Sequence, residues 1–249
     1  MRRFIITEDQ VQSGLVSLKG PEARHARNVL RLSTGDVVLL VDDRGAEYVS
    51  RITSVSRTGV DLTVIEKREA VGEPALNLIL GLALLKSDRM EFVIQKGTEL
   101  GLHALIPLRA ARCTVRLEGQ RADSRLERWR QIAGQAVKQC RRGRAPEIFP
   151  VMDFNEALSQ AGTAELKLML HEDRASASGQ ELHSLLTTES PLSSIFMLIG
   201  PEGGFSRQET ALAVESGFHV LGLGPRILRS ETAALAAISI VGFILGDLR

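Results

Sequence analysis

The sequence has few cysteines and no long apolar run, and both absences narrow the kind of protein that it encodes. Only Cys113 and Cys140 occur among its 249 residues, without a neighbouring cluster of Cys or His, which disfavours a structural zinc site or a disulfide framework. The longest apolar candidate, Ala233–Leu245, is shorter than the roughly 18 residues that span a bilayer. The first residues do not form a secretory signal, so we expect a cytoplasmic protein with no membrane partner.

Common signatures of catalysis and nucleotide binding are also missing. There is neither a G-x-S-x-G nor an H-E-x-x-H motif, so hydrolase and zinc-protease activities lack support. The five histidines share no metal-ligand spacing, and we therefore predict no metal site. Neither a P-loop nor a G-x-G-x-x-G motif is present, which disfavours a conventionally bound triphosphate and a nucleotide-dependent oxidoreductase.

Charge is nearly balanced overall, with a formal net charge of +1, but it is unevenly distributed along the chain. The segment Arg109–Arg144 carries ten Arg and one Lys against three acids, whereas residues 145–225 carry eleven acids against three basic residues. The segment Arg2–Arg31 adds six basic residues against three acids. Planar guanidinium groups suit bidentate contacts with phosphate, so these segments indicate a nucleic-acid partner. A solvated helix face beside a mobile loop is the alternative interpretation.

Residues 1–72 predict a small β-barrel domain. Their apolar segments are short, partly alternating and separated by Gly, Asp and Asn, which is typical of short strands. One helix interrupts them, with Pro21 in its first turn and Ala23–Leu32 as its body. The segment Glu69–Pro74 predicts a linker to a second domain over 73–249. The predicted strands are Phe4–Ile6, Leu15–Leu18, Val37–Val41, Tyr48–Ile52 and Val60–Ile65.

Beyond the linker, buried strands alternate with helices, which predicts a mostly parallel sheet covered on both faces. Three capping boxes and one cap residue predict where helices begin. The boxes are Asp88 with Glu91, Ser124 with Glu127, and Ser206 with Glu209, and Ser230 is the predicted cap of the last helix. The predicted strands are Leu76–Leu85, Ala104–Leu108, Leu166–Leu170, Ile195–Ile199 and Phe218–Leu223.

Two glycine-rich turns near the C-terminus each follow an apolar strand and precede a helix signal. The first lies in Ile195–Ser206 (IFMLIGPEGGFS), and the second lies in Val220–Thr232 (VLGLGPRILRSET). A strand, a tight glycine turn and a helix bring main-chain N–H and C=O groups close to a small ligand. Because the two turns are close in sequence, we expect both to line one pocket.

These turns resemble the two knot motifs of the ribosomal RNA small subunit methyltransferase E family, which belongs to the SPOUT class of RNA methyltransferases. The residues that carry the resemblance are Ile199–Phe205 and Leu221–Ala233. Lys138 departs from the family, which usually has Glu there, and Gly143 stands where Asn is common. Further similarity lies in Leu85–Gly101, Arg128–Trp129, Gln139–Cys140, Arg144–Ile148, His25, Val29–Leu32, Gly35–Asp36 and Gly45–Tyr48.

The resemblance implies an α/β fold with a SPOUT-type parallel sheet, a C-terminal deep trefoil knot and an N-terminal PUA-like β-barrel that binds RNA. It also implies a homodimer that methylates N3 of one uridine in 16S rRNA, near the decoding centre of the assembled small ribosomal subunit. S-adenosylmethionine is the implied cofactor. Because this cofactor carries its own activated methyl group, the protein supplies binding, orientation and electrostatics.

The implied cofactor site lies in the two glycine turns, whose main chain is expected to surround adenine and ribose in a bent pose. Each glycine taken alone also fits ordinary turn geometry, and Glu202 and Glu231 also fit a role at a helix start. The predicted cofactor-binding residues are Leu198, Ile199, Gly200, Pro201, Glu202, Gly203, Leu221, Gly222, Leu223, Gly224, Ile227, Leu228, Arg229 and Ala233.

Basic residues of both domains are the candidates for RNA contacts, with solvated surface side chains as the alternative. They are Arg3, Arg24, His25, Arg27, Arg31, Lys86, Arg89, Arg112, Arg142 and Arg144. Uracil N3 must lose a proton on methylation, so a base or a group that stabilises the anion is needed. Arg229 is the candidate for stabilising the developing uracil oxyanion, and a salt bridge at the core edge is its alternative role. Two other functions stay open, a SPOUT methyltransferase for another RNA target and a non-catalytic ribosome-assembly protein.

Overall fold

The computed structural model describes residues 1–42, 45–69, 73–172, 178–187, 192–246 and 248. Its contacts divide the chain into an N-terminal and a C-terminal unit. The N-terminal unit is Met1–Glu73 with Val137–Ala145, and the C-terminal unit is Pro74–Ala136 with Pro146–Arg249. The predicted linker includes residues 70–72, which lie outside the described residues, so the boundary between residues 72 and 73 stays a prediction. The sequence did not predict that residues 137–145 belong with the N-terminal unit.

A curled five-stranded sheet forms the N-terminal unit. Its strands are β1 (Arg2–Ile5), β2 (Leu15–Leu18), β3 (Val37–Val41), β4 (Ala46–Val55) and β5 (Val60–Glu69). They lie in the order β1–β3–β4–β5–β2, with β1 parallel to β3 and the other pairs antiparallel. Because side chains alternate along a strand, every second residue faces inward, and Phe4, Leu40 and Ile52 lie in the core. All five predicted strands are present, and β4 and β5 are longer than predicted.

The helix in this unit is shorter at its C-terminal end than the sequence predicts. Helix α1 (Gly20–Arg24) has Pro21 in its first turn and continues as one π-helical turn over His25–Val29. It does not reach residue 32, because Arg31 takes a left-handed conformation with a φ of 53°.

A seven-stranded parallel sheet forms the centre of the C-terminal unit. Its strands are β6 (Asn77–Ala83), β7 (Ala104–Arg109), β8 (Glu147–Ile148), β9 (Met152–Asp153), β10 (Leu166–Leu170), β11 (Ser194–Ile199) and β12 (His219–Leu221). Their order is β12–β10–β11–β6–β7–β8, and β9 also pairs with β7. Along β11, Ile195 and Met197 enter one apolar core while Phe196 and Leu198 enter another. The sheet is therefore covered on both faces, which confirms the predicted α/β class.

Six helices accompany this sheet in the described part of the chain. The predicted starting residue is correct for one of these helices and displaced for others. They are α2 (Ser87–Glu99), α3 (Gly119–Cys140), α4 (Phe154–Gln160), α5 (Ser178–Leu186), α6 (Arg207–Glu215) and α7 (Ser230–Ile244). The capping box of α6 is confirmed, since Ser206 N donates to Glu209 Oε2 at 2.7 Å and Glu209 N donates to Ser206 Oγ at 3.2 Å. None of these helices combines the length and apolar character that a bilayer-spanning segment requires.

The other predicted helix starts are displaced. Helix α2 begins at Ser87 with Lys86 as its N-cap, two residues before the predicted cap Asp88. Helix α7 begins at Ser230 with Arg229 as its N-cap, one residue before the predicted cap. The predicted start of α3 at Ser124 is wrong, because α3 already begins at Gly119. Gln, Arg and Ala fill most of the extra turn, and these residues favour a helix even where no capping box marks its start.

The strand order creates a crossing near the C-terminus. Strands β11 and β12 follow one another along the chain but lie on opposite sides of β10. After β12, helix α7 packs against α2 and β11, where Ile238 joins Ile94 in one core cluster. The predicted deep trefoil knot falls in this part of the chain.

Substitution of Trp129 in α3 tests how this core is packed. Its side chain is buried, and its Nε1–H finds no hydrogen-bond acceptor among the described residues. We expect Trp129→Ala to lower the free energy of unfolding by about 3–5 kcal/mol, because the cavity left behind is large. Trp129→Phe should cost only about 1 kcal/mol, because it keeps an aromatic ring and removes an unpaired donor. Urea unfolding followed by circular dichroism measures both, and equal losses would contradict this packing.

Candidate functional site

The two glycine-rich turns meet at one edge of the parallel sheet. Strands β10, β11 and β12 are parallel neighbours, so the chain leaves all three at the same edge. A cavity of about 70 Å³ lies there, lined by residues that follow each of the three strands. The lining residues are Leu170, His171, Glu172, Ile199, Gly200, Pro201, Gly204, Gly222, Leu223, Gly224, Arg226, Leu228, Ser230 and Ala233.

A second cavity adjoins the loop that follows β12. It has a volume of about 500 Å³ and a mostly apolar lining from α5 and α7, which includes Leu182 and Ile240. The two cavities share residues 222–224, Arg226 and Leu228 in their linings. Small-molecule pockets usually measure about 300–1,000 Å³. The first cavity alone is too small for a ligand of nucleoside size, so such a ligand needs space from the adjoining cavity or a shift of the shared loop.

The structure brings most of the predicted cofactor-binding residues to the first cavity. Eight of them line it, namely Ile199, Gly200, Pro201, Gly222, Leu223, Gly224, Leu228 and Ala233. Leu198 and Leu221 are buried in the core, whereas the side chain of Ile227 is 84% exposed. Glu202, Gly203 and Arg229 lie in the same two loops but outside the lining. The cofactor roles of all these residues stay predictions.

Sequence reasoning missed the third side of the cavity. His171 and Glu172 follow β10 directly, and both line the cavity. The strand itself was predicted. Two polar residues directly after its carboxyl end were therefore a signal that could have identified His171 and Glu172. Parallel strands of one sheet end at a common edge, and ligands bind there. Arg226 and Ser230 were missed although they lie within the second glycine turn.

Gly204 holds its loop close to Glu172. Its φ is +67°, and a Cβ atom built on it would lie 2.5 Å from Glu172 Oε1. Glycine satisfies both demands, because it accepts the left-handed conformation and leaves room for the carboxylate. The close approach of the first glycine turn to the end of β10 therefore depends on this residue.

Two arginines bind the loop between β11 and α6. Arg89 Nη1 donates to Glu202 Oε1 at 2.7 Å, and Arg89 Nε lies 3.6 Å from Glu231 Oε1 at the start of α7. Arg112 Nη1 donates to the carbonyl oxygen of Gly203 at 2.8 Å. Arg89 therefore connects the two glycine turns, and both predicted RNA contacts already have partners within the protein.

A buried carboxylate fixes the far end of the same loop. Glu209 Oε1 accepts from Ala111 N at 2.7 Å, while Oε2 accepts from Ser206 N at the start of α6. The side chain is only 6% exposed, so these charge-assisted hydrogen bonds replace water. The loop is thus held at Glu202, Gly203 and Ser206.

Arg229 lies at the start of the last helix. Its carbonyl oxygen accepts from Ala233 N at 2.8 Å, and its side chain is exposed beside the cavity residue Ser230. Within the described part of the chain, its guanidinium group makes no ion pair. The salt bridge considered as its alternative role therefore has no partner among these residues.

Basic residues of the N-terminal unit divide into paired and exposed groups. Arg3 lies 3.3 Å from Glu47, and Arg27 donates to the carbonyl oxygens of Ser56 and Arg57. The remaining members are His25, whose ring makes an edge contact with Phe4, the paired Arg142, and the exposed Arg24, Arg31 and Arg144. Their predicted RNA contacts stay predictions, as does that of Lys86 at the N-terminus of α2.

Several arginines of the Arg109–Arg144 segment serve the fold of the C-terminal unit. Arg125 donates to Ser87 Oγ at 2.6 Å, and Arg128 donates to Glu91 at 3.2 Å. Arg109 donates to Asp153 at 2.7 Å, and this hydrogen bond raises the pKa of Arg109. Part of the positive charge that suggested nucleic acid is therefore balanced within the unit. No group of three or more potential metal ligands occurs in the described ranges.

Gly204→Ala tests the close approach of the loop, with Gly217→Ala as its matched control. Both glycines have a positive φ, but a Cβ on Gly217 meets nothing within 4 Å. Each substitution should cost about 1–2 kcal/mol of unfolding free energy, because alanine disfavours the left-handed conformation. The Glu172 carboxylate lies at the end of a flexible side chain. We therefore expect the new Cβ atom in Gly204→Ala to turn this carboxylate away from the cavity. Urea unfolding and a crystal structure of each variant measure these effects, and an unmoved Glu172 in Gly204→Ala would contradict the packing.

Comparison with known proteins places the chain among RNA methyltransferases. Residues 72–242 match the model of an RNA methyltransferase domain, and residues 18–65 match an RNA methyltransferase PUA domain. The chain is 34% identical to ribosomal RNA small subunit methyltransferase E of Bacillus subtilis, across 98% of this chain and 96% of that protein.

Similar solved structures are also methyltransferases. Ribosomal RNA small subunit methyltransferase E from Neisseria gonorrhoeae, bound to S-adenosyl methionine, is 34% identical, with 100% of both chains covered and a TM-score of 0.86. A methyltransferase from Legionella pneumophila in complex with the same cofactor is 30% identical, with 99% and 98% covered and a TM-score of 0.86.

Proposed function

Because the chain belongs to the ribosomal RNA small subunit methyltransferase E family, we propose that it transfers a methyl group from S-adenosylmethionine to small-subunit ribosomal RNA. This membership confirms the resemblance carried by the two glycine-rich segments. The observation that carries the proposal is the convergence of the loops after β10, β11 and β12 on one cavity. The finer activity that we propose is methylation of N3 of one uridine in 16S rRNA within the assembled small subunit.

The cavity suits S-adenosylmethionine because it offers main-chain groups beside one carboxylate. The main chain of residues 199–201 and 222–224 binds adenine and ribose, and the second cavity supplies part of the volume. Glu172 presents a negative charge to a ligand that carries a sulfonium cation. The cofactor supplies the activated methyl group, so the residues of the chain bind it, orient it and exclude water.

Arg229 is the residue that we propose to act on the target base. Removal of the N3 proton leaves negative charge on the uracil oxygens, and a nearby guanidinium group lowers the energy of that anion. The exposed side chain of Arg229, beside the lining residue Ser230, is available for this contact. Extrusion of the uridine from its stack costs a few kcal/mol, which contacts with RNA phosphates offset.

The remaining parts of the proposal concern assembly. We assign RNA binding to the barrel domain over 1–72 and methyl transfer to the knotted domain over 73–249. Among the basic residues predicted to contact RNA, we assign phosphate contacts first to the exposed Arg24, Arg31, Lys86 and Arg144. The protein acts as a homodimer in the cytoplasm, where small subunits are available.

Mass mapping of 16S rRNA tests the proposed reaction most completely. Small subunits are incubated with the protein and a labelled methyl donor, and the RNA is digested and sequenced by mass spectrometry. We expect one added methyl group, on N3 of a single uridine. A methyl group on ribose, on another base atom or on another nucleotide of 16S rRNA would identify a different SPOUT target. Absence of transfer together with RNA binding would indicate the non-catalytic assembly protein.

Arg229→Ala tests the stabilisation of the uracil anion. Loss of one group that stabilises the developing charge should lower kcat by about a hundredfold and leave the affinity for S-adenosylmethionine unchanged. Arg207→Ala is the control, because Arg207 is an exposed arginine of α6 outside the cavity lining. Steady-state methylation of small subunits measures both, and unchanged turnover in Arg229→Ala would remove this residue from the chemistry.

Arg89→Ala tests the connection between the two turns. Without the contacts to Glu202 and Glu231, we expect the loops to lose their fixed arrangement and the affinity for S-adenosylmethionine to fall about tenfold. Arg89→Lys should recover part of it, because lysine keeps the charge but loses the two-sided contact. The control is Arg128→Ala. It removes a guanidinium group of α3 that binds Glu91, which lies in α2 together with Arg89. Calorimetry without RNA measures the cofactor affinity, and a separate titration with RNA measures RNA binding. Unchanged cofactor affinity together with weakened RNA binding would contradict this role and favour a direct RNA contact for Arg89.

A further inference from the structure

A cationic cleft lies within the N-terminal unit, beside β1 and the end of α3. Its volume is about 710 Å³, and its lining includes Arg2, Arg3, Lys138 and Arg141. Among the described residues that line it, Glu47 is the only acid. The excess of positive charge in this cleft is therefore not balanced by its own lining.

Arg3 is a buried cation of this cleft. Its side chain is 8% exposed, and its Nη2 lies 3.3 Å from Glu47 Oε1. Its Nε–H finds no hydrogen-bond acceptor among the described residues, although the atom is buried. Glu47 also faces Arg68 at 3.4 Å, so one carboxylate is shared by two guanidinium groups. Burial lowers the pKa of Arg3, and an additional anion would oppose that effect.

Arg141 reaches the cleft through an unusual backbone conformation. It follows the last residue of α3, its φ is +67°, and its N–H donates to the carbonyl oxygen of Val137 at 3.0 Å. Glu73 fixes the next residues, since it accepts from Gly143 N at 2.6 Å and pairs with Arg142 at 3.0 Å. The chain therefore holds a non-glycine residue in the left-handed region at the point where its side chain lines the cleft.

Lys138 adds a further cation from the last turn of α3. Its Nζ pairs with Glu22 of α1, which lies outside the cleft lining. Glu22 therefore tethers the lysine beside the cleft without adding a carboxylate to the lining.

We propose that this cleft binds phosphate groups of the substrate RNA, with Arg3 inside and Arg2, Lys138 and Arg141 around it. The inference rests on the proposed function, and it adds a defined site to the general RNA role of the N-terminal domain. The volume exceeds that of a single phosphate, and several cations line it, which suits a chain of phosphates. Guanidinium groups suit phosphate because their donors match two of its oxygens at once.

Binding of a fluorescent fragment of small-subunit rRNA to the full chain, measured over a range of salt concentrations, tests the site. Arg141→Asn and Lys138→Gln each remove one charge, and asparagine tolerates the left-handed conformation at position 141. Each should weaken binding about fivefold to tenfold and lower the slope of log K against log salt by about 0.7–1. Arg57→Gln, in the turn between β4 and β5 and outside the cleft, is the control and should leave the slope unchanged.

Alkylation of Cys140 gives a direct readout of occupancy. This half-buried cysteine lines the cleft, so bound RNA should slow its reaction with N-ethylmaleimide about tenfold or more. Cys113 of the C-terminal unit is an internal reference whose reaction is slow, because burial raises the pKa of its thiol.

Unchanged salt slopes in both variants, or RNA that binds without protecting Cys140, would overturn the inference. Protection of Cys140 by a polyglutamate peptide but not by RNA would overturn it as well. Failure of the proposed function has a different signature, namely no heat on addition of S-adenosylmethionine to the wild-type protein. RNA-dependent protection of Cys140 would support the cleft even in that case.

Discussion

The candidate site depends on one constraint, the common edge at which three parallel strands end. Strands β10, β11 and β12 are neighbours in the sheet, although residues 171–193 and 200–218 separate them along the chain. Their parallel direction brings the three loops that follow them to one edge of the sheet. Gly204 then lets one loop approach Glu172, and this close approach shapes the cavity. Glycines and apolar residues form most of the lining, and for this reason we propose that recognition of the cofactor falls mainly to the main chain.

Arginine serves two different purposes in this protein. Arg89 and Arg112 bind groups of the loop after β11, so their guanidinium donors help to arrange the cavity. Arg3 and Arg141 line a cleft in which Glu47 is the only acid among the described residues. A count of charges along the sequence cannot separate these purposes, because the distinction depends on which carboxylates and carbonyl groups the fold places within reach.

Periodicity and turn chemistry predicted the main features of the fold, whereas the cofactor roles that the resemblance implies stay predictions. Side-chain alternation was sufficient for the barrel strands, and the glycine turns marked two sides of the cavity. The third side, at His171 and Glu172, depends on the position of β10 in the sheet, which no local pattern specifies. The packing of residues 137–145 with the barrel is likewise a long-range property. The start of α3 at Gly119 was missed because residues before Ser124 favour a helix. The helix therefore begins N-terminal to the capping box.

The most direct test of this account is hydrogen–deuterium exchange of the full chain with and without S-adenosylmethionine. The central claim is that main-chain groups of neighbouring loops bind the cofactor, so amide exchange should slow at residues 199–204 and 221–230. Exchange in the N-terminal unit should not change when the cofactor alone is added. Slowed exchange confined to another region, with residues 199–204 and 221–230 unaffected, would contradict the account.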